Sequence, residues 1–217
     1  MNTIRDKKIF GWYCRIFGAV TALTLLFSIF DFSSFVGRLV KYFIYFSLSA
    51  FIIWKREKEE KPKVKKYYYP FALSLFLSFS IFLSYLFKSK TVLTYDLSII
   101  SFVFICILTP IFEELFFRCA IMYNDKSLAF CVFSSILFSL FHTPDIFLYT
   151  LFMGFVLAYY YRVTHSLVFG VLCHMLNNTL AFITPLFDVR PILLVVTLLY
   201  SIIYVIKNKD NTNDLKQ

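Results

Sequence analysis

SIISFVFICILTPIFEELFFRCAIMY, from Ser98 to Tyr123, is an almost wholly apolar segment that is long enough to cross a lipid bilayer as a helix. It nevertheless carries Glu113 and Glu114 side by side, and a carboxylate near the centre of a bilayer costs about 3 kcal/mol or more. Arg118 follows Glu114 by one helical turn, so an i,i+4 pair can neutralise that charge. Glu113 has no local partner, which makes it a candidate functional residue.

The composition is that of a multi-pass membrane protein. Of the 217 residues, 59% are hydrophobic, and 29 Phe and 15 Tyr stand against only 5 Gly, a balance that soluble domains rarely show. The net charge of +9 falls mainly in short connections, where anionic lipid headgroups attract it. We therefore expect contact with the lipid bilayer and no nucleic-acid partner. The five cysteines lie inside apolar segments and are expected to be small buried side chains.

Apolar segments of about 20 residues divide the chain into candidate spans. There are eight of them, at roughly 10–30, 34–54, 67–87, 97–123, 127–144, 146–162, 166–187 and 190–206. The sequence therefore predicts an all-α fold, a polytopic integral membrane helix bundle of about eight transmembrane helices. We expect a single membrane domain over residues 1–206, interrupted by one charged linker at 55–66 and followed by a polar cytoplasmic tail at 207–217.

The distribution of basic residues predicts the orientation of the bundle. With the N-terminus inside, the inner connections carry 15 Lys and Arg residues and the outer connections carry 4. Cytoplasmic connections are enriched in these residues, so we expect a multi-pass protein of the cell membrane with both termini in the cytoplasm. Arg118 and Lys126 follow Glu113 toward the inner side, and we expect its site to open there.

Three short polar patterns stand out inside the apolar segments. They are EExxxR at Glu113–Arg118, FxxxH at Phe138–His142 and HxxxN at His174–Asn178. Their i,i+4 spacing places both ends of each pattern on one helical face. Singly they have ordinary explanations, namely a structural ion pair, an interfacial histidine behind a packing phenylalanine, and hydrogen bonds between helices. Three helices carrying costly polar groups together favour a shared site.

Hydrolysis is the chemistry that such a set can perform. Glu113 with His142 opposite can hold and deprotonate a water molecule, while His174 and Asn178 can donate hydrogen bonds to a developing oxyanion. Alternatively, Glu113, His142 and His174 form a two-histidine, one-carboxylate ligand set for a zinc-bound water. The residues do not separate these schemes, so a divalent metal such as zinc, or no cofactor, stays open.

The ordered set of motifs closely resembles the CPBP intramembrane proteases. That family joins type II CAAX prenyl endopeptidases to bacterial bacteriocin-processing and self-immunity proteins, the Abi group, and is described both as metalloproteases and as metal-independent glutamate proteases. The resemblance covers about 98–187, the catalytic core. It implies that Glu113 and His142 activate water and that His174 and Asn178 stabilise the oxyanion. It also implies that Glu114 and Arg118 support the site.

We therefore expect a membrane-embedded endopeptidase of the glutamate or metallo type. It would hydrolyse a peptide or protein substrate in or near the membrane, in peptide or bacteriocin processing or in self-immunity. The alternative is a non-catalytic membrane immunity or binding protein that uses the same polar cavity. A small transporter with Glu113 as a proton relay is disfavoured, because the chain has no inverted repeat.

One feature fits the predicted spans badly. Glu113 lies just inward of the centre of its span, whereas His142 lies near the outer end of the next, an offset of about 10 Å at 1.5 Å per residue. Either the fifth span continues through 143–144, or tilt and a bend near Pro110 bring the two groups level.

Overall fold

The computed structural model describes residues 3–29, 34–53, 68–87 and 97–207, and these form an all-α bundle. In the described part the helices are α1 (Thr3–Ile29), α2 (Phe35–Ile52), α3 (Tyr68–Leu86), α4 (Ile99–Ala120), α5 (Leu128–Leu140), α6 (Phe147–Thr164), α7 (Leu167–Ile183) and α8 (Arg190–Lys207). A 3-10 turn, Pro144–Ile146, precedes α6. The predicted all-α membrane bundle is confirmed.

Each predicted span coincides with one of these helices. Six helices are long and apolar enough to cross a bilayer, whereas α5 and α7 are apolar but have only 13 and 17 residues. The predicted count of eight transmembrane helices is therefore not confirmed. The linker at 55–66 and the tail beyond Lys207 lie outside the described residues, and the single domain over 1–206 stays a prediction.

One end of the bundle is filled by aromatic side chains. Trp12 of α1 and Tyr45 of α2 are fully buried in the same cluster as Phe116 and Phe117 of α4. The Trp12 indole N–H donates to the carbonyl of Ala120 at 3.4 Å. Rings of this size dominate the energy of a core, so this cluster fixes α1 and α2 against α4.

The basic residues that interrupt the first two predicted spans all have partners. Nε of Arg15 donates to the carbonyl of Ile52 at 3.1 Å, which satisfies a carbonyl at the end of α2. The Arg38 guanidinium lies over the ring of Phe104, 5.9 Å from its centroid. Lys41 reaches the candidate site.

Hydroxyl pairs join α3 to α8. Ser74 and Ser201 form a hydrogen bond of 2.8 Å, and Ser78 donates to Thr197 at 2.7 Å. The residue numbers rise on one helix as they fall on the other, so the two helices are antiparallel. Such hydrogen bonds hold helices together where lipid offers no hydrophobic driving force.

Helix α4 departs from regular α geometry on both sides of the glutamate pair. It is π-helical over Val103–Leu108 and Leu115–Ala120, with an α-helical turn, Thr109–Glu114, between them. Pro110 has no backbone N–H and its ring displaces the carbonyl four residues earlier. The N–H of Thr109 accordingly bonds to the carbonyl of Phe104, five residues back. Turns of this kind occur frequently at functional sites.

The fifth predicted span does not continue through 143–144, because α5 ends at Leu140 and the 3-10 turn begins at Pro144. At 13 residues α5 is about 20 Å long, shorter than the roughly 30 Å of a bilayer core. His142 and Glu113 nevertheless line the same cavity.

Candidate active site

A cavity of about 730 Å³ extends between α2, α3 and the helices from α4 to α8. Its lining includes Glu113, His142, His174 and Asn178. These are the four residues that the three motifs predict to be catalytic, and the fold brings all of them to one cavity. The volume lies in the range of small-molecule and peptide-side-chain pockets.

Glu114 and Arg118 form an ion pair inside the bundle, and neither residue is exposed. Nε of Arg118 lies 3.3 Å from Oε2 of Glu114, and Nη2 donates to the carbonyl of Gly154 on α6 at 3.2 Å. Removing one partner of a buried pair leaves an uncompensated charge. The geometry is therefore that of the structural pair expected from the i,i+4 spacing.

His174 of α7 lies between the two glutamates of α4. Its Nδ1 is 2.9 Å from Oε1 of Glu114, and its Nε2 is 3.9 Å from Oε2 of Glu113. An ionised carboxylate only accepts hydrogen bonds, so Nδ1 carries a hydrogen and donates it to Glu114. This bond fixes the ring with Nε2 directed toward Glu113. The contact between His174 and Glu114 was not predicted.

Phe138 of α5 is the central packing residue of the site. The Arg118 guanidinium lies over its ring at 4.5 Å from the centroid, a cation–π distance. The rings of His142 and His174 lie 4.5 and 5.7 Å away, centroid to centroid. Phe138 therefore packs against the buried cation and against both histidine rings.

The main chain of Phe138 also orients His142. Nδ1 of His142 lies 2.7 Å from the carbonyl oxygen of Phe138. A carbonyl only accepts, so Nδ1 is the protonated nitrogen and Nε2 of the neutral ring keeps its lone pair. The four-residue spacing of the FxxxH motif is the spacing of this bond.

Lys41 is a functional candidate that the motifs do not include. Its Nζ lies 3.5 Å from Oε1 of Glu113, and its side chain is 20% exposed where that of Glu113 is 3% exposed. It lies on α2, more than 70 positions before Glu113. The available signal was the lysine itself, because a cation inside an apolar span requires a partner.

The paired asparagines of α7 have different contacts. Asn178 donates from Nδ2 to the carbonyl of Ile105 in the first π-helical segment at 2.9 Å. The Oδ1 of Asn177 accepts from the hydroxyl groups of Tyr149, at 2.7 Å, and Ser80. Both asparagines, Tyr149 and Ser80 line the cavity. The last two are polar wall residues that sequence reasoning missed, since neither lies in a motif.

The far end of the cavity carries a second cation. Arg190 donates to both carboxylate oxygens of Asp188 at 2.7 and 2.8 Å, and its guanidinium lies 4.6 Å from the ring centroid of Tyr85. These hydrogen bonds hold the pKa of Asp188 below its usual range. Nη1 of Arg190 also contacts Ser84 at 3.4 Å.

The side chains do not converge as a metal site requires. Within the described ranges, no group of three His, Cys, Asp or Glu residues is placed to hold a metal ion. The Lys41 ammonium instead lies beside Glu113. The residues as arranged therefore do not fit the two-histidine, one-carboxylate zinc set, and no chemical step below involves a metal.

Part of the chain is similar to a known protein family. Residues 95–180 are similar to the family described as Rce1-like, type II CAAX prenyl endopeptidase. The matched segment contains all three motifs, from Glu113 to Asn178, and confirms the family resemblance that those motifs indicated. Neither curated proteins nor solved structures give a match to the chain.

Proposed function

We propose that this chain, whose residues 95–180 are similar to the Rce1-like, type II CAAX prenyl endopeptidase family, hydrolyses a peptide bond at the cavity that holds Glu113. One observation carries this proposal. Glu113, His142, His174 and Asn178 come from three separate helical motifs and line a single membrane-embedded cavity. Ionisable side chains inside a membrane are costly, so a cluster of them indicates a functional site.

We assign the activation of water to Glu113 and His142. Glu113 is 3% exposed and has one carboxylate oxygen, Oε2, without a hydrogen-bond partner among the described residues. His142 presents an unprotonated Nε2, because Nδ1 is held by the Phe138 carbonyl. A water molecule between these groups would lose a proton to one of them while its oxygen attacks the peptide carbonyl. The protonated group would then give that proton to the amine nitrogen, which leaves as the C–N bond breaks. General bases of this kind contribute about 10²–10⁴-fold to the rate.

Lys41 supplies the positive charge that balances Glu113. Its ammonium neutralises Glu113 across 3.5 Å, which favours the ionised carboxylate that a base must be. The same ammonium stays partly exposed to the cavity and lies beside the position where negative charge develops on the substrate.

We propose that His174 and Asn178 stabilise the oxyanion that develops on the substrate carbonyl. The ring of His174 is held in place by Glu114, and when it carries both protons its Nε2 donates into the cavity. Asn178 uses one amide hydrogen on the carbonyl of Ile105 and keeps a second one. Donors fixed in advance stabilise a transition state without reorganisation, and removing one typically costs about 10²–10³-fold in kcat.

The test is hydrolysis by the purified full-length protein in lipid vesicles. Substrates are matched peptides with and without a prenyl group on cysteine, since the matched family acts on prenylated CAAX ends. We expect cleavage that is lost in Glu113→Gln and His142→Ala and is unaffected by a chelator. Asp145→Asn removes an exposed carboxylate outside the cavity and is the matched control.

The same assay separates the alternatives. Cleavage that persists in both site variants would contradict the enzyme proposal. Tight peptide binding without cleavage, unaffected by Glu113→Gln, would favour a non-catalytic immunity or binding protein. Loss of cleavage on chelation, with recovery on adding zinc, would restore the metal scheme. A role in bacteriocin processing or self-immunity is proposed on the family resemblance, and capture of a cellular peptide by Glu113→Gln tests it.

A further inference from the structure

We propose that Asn177 is a positioning residue, which holds the side-chain amide of Asn178 in the orientation needed for hydrogen bonding to the substrate. Asn177 occupies an unspecified position of the HxxxN motif, so the motif itself gives it no role. The inference rests on the proposed function, because Asn178 is proposed there to stabilise the oxyanion.

The network begins at a backbone carbonyl of α4 that lacks both of its regular helical donors. In an α-helix the carbonyl of Ile105 would accept from the N–H of Thr109, but that N–H bonds to Phe104 instead. A π turn would use the next residue, Pro110, which has no N–H. Nδ2 of Asn178 donates to this carbonyl at 2.9 Å. A carbonyl inside a membrane needs such a partner, so Asn178 has a fixed place against α4.

This bond sets the direction of the other bonds in the network. Because a carbonyl only accepts, the Asn178 amide presents its nitrogen to Ile105 and its Oδ1 to Asn177. Nδ2 of Asn177 donates to that Oδ1 at 3.3 Å. Oδ1 of Asn177 is then left to accept, and it does so from the hydroxyl of Tyr149 at 2.7 Å and from that of Ser80. Both amides are thereby held in one orientation.

The network joins four of the helices that line the cavity. Ser80 belongs to α3, Tyr149 to α6, the two asparagines to α7 and Ile105 to α4. Asn177 and Ser80 are buried, whereas Asn178 is partly exposed in the cavity. The second Nδ2 hydrogen of Asn178 is therefore the one left for a substrate. A donor that is fixed in this way stabilises developing charge without reorganisation.

Hydrogen bonds between membrane helices can also serve stability alone, and suitable variants separate the two roles. Ser80→Ala and Tyr149→Phe each remove a hydroxyl that reaches Asn178 only through another side chain, and Tyr149→Phe keeps the ring. Ser74→Ala is the matched control, because it removes a buried hydroxyl of the same helix, α3, that bonds to Ser201 of α8. Each variant is made alone and together with Asn178→Ala.

Peptide hydrolysis gives the first readout. We expect Ser80→Ala and Tyr149→Phe each to lower kcat about tenfold to a hundredfold with KM unchanged, because the donor is misplaced rather than removed. In the Asn178→Ala background neither should cost anything further, since both act through that amide. Losses that persist in this background, or equal losses in Ser74→Ala, would overturn the positioning role.

The side-chain amide signals test the orientation without any catalytic assay. The full-length protein is labelled with ¹⁵N on asparagine and studied by NMR in detergent micelles, and the signals of Asn178 are those missing from Asn178→Ala. We expect them to shift in Tyr149→Phe and Ser80→Ala but not in Ser74→Ala. Unmoved signals, or equal shifts in all three variants, would overturn the proposal. The expected shifts together with absent hydrolysis by the unmodified protein would remove the proposed function and leave the hold of Asn177 on Asn178 standing.

Discussion

Nδ1 of His174 lies 2.9 Å from Oε1 of Glu114, while Nε2 of the same ring faces Oε2 of Glu113 across 3.9 Å. One histidine thus distinguishes two adjacent carboxylates. Glu114 bonds to His174 and pairs with Arg118, so both of its oxygens are directed into the protein. Glu113 faces Lys41 and the cavity. Replacing Glu113 should therefore affect activity, whereas replacing Glu114 should affect stability.

We predict that Glu113→Gln lowers kcat by about 10²–10⁴-fold, as loss of a general base does, with little change in stability. Glu114→Gln should instead destabilise the fold by about 3–5 kcal/mol, because it leaves the Arg118 charge buried without its partner. Peptide hydrolysis and thermal denaturation in detergent, measured on the same preparations, check both statements. Equal thermal stability of the two variants would contradict the division of roles.

Replacing Lys41 with an uncharged residue should lower kcat, because the positive charge beside Glu113 is lost. Lys41→Met is expected to reduce kcat roughly tenfold to a hundredfold, or about 1.4–2.8 kcal/mol in the barrier, whereas Lys41→Arg keeps the cation and most of the rate. Adding Lys41→Met to Glu113→Gln should cost nothing further, since the two charges act as one unit. Arg38→Met, one turn earlier on α2, is the control for loss of a cation from this helix. Additive losses in the double variant would show that Lys41 acts separately.

Gly154→Ala should disturb the candidate site by displacing Phe138. A Cβ at this position would lie 3.0 Å from Cδ1 of Phe138 and 3.4 Å from Cα of Ser135, so the ring must move. Because the ring and carbonyl of Phe138 orient His142, we expect a fall in kcat that exceeds any fall in thermal stability. Gly18→Ala meets no atom within 4 Å and should gain up to about 1 kcal/mol from helix propensity. An unchanged kcat in Gly154→Ala would refute the positioning role of Phe138.

The hydroxyl pair Ser74–Ser201 should couple α3 to α8 by about 0.6 kcal/mol, the average for interhelical hydrogen bonds in membranes. A double-mutant cycle with Ser74→Ala and Ser201→Ala, read by unfolding in mixed detergent micelles, measures this coupling. Hydrolysis should be unaffected in all three variants because neither serine lines the cavity. A coupling near zero would mean that packing alone joins these helices.

The sequence predicted the helical bundle because its apolar segments are long and bounded by charge, and each segment coincides with a helix. It also drew attention to Glu113, His142, His174 and Asn178, which line one cavity, because polar groups inside such segments are rare enough to be informative. Periodicity assigned the ends of each motif to one face, and the contacts of Glu114 with Arg118 and of Phe138 with His142 have that spacing.

Contacts between distant segments could not be predicted from the sequence. Lys41 contacts Glu113, and His174 contacts Glu114. Both contacts depend on the packing of α2 and α7 against α4, which no local sequence pattern predicts. The length of the fifth helix was also misjudged, because the predicted span 127–144 continues past Leu140, where α5 ends.

The π-helical segments of α4 make the site sensitive to chain length as well as to side chains. In a π turn one residue more is accommodated than in an α turn, and each residue turns an α-helix by about 100°. Deleting one residue from Val103–Leu108 would let that turn relax to α geometry. Glu113 would then swing away from Lys41 or drag α2 with it, although every residue of the candidate site would still be present. The position of Glu113 around this helix thus depends on a backbone insertion that a comparison of side chains alone would not detect.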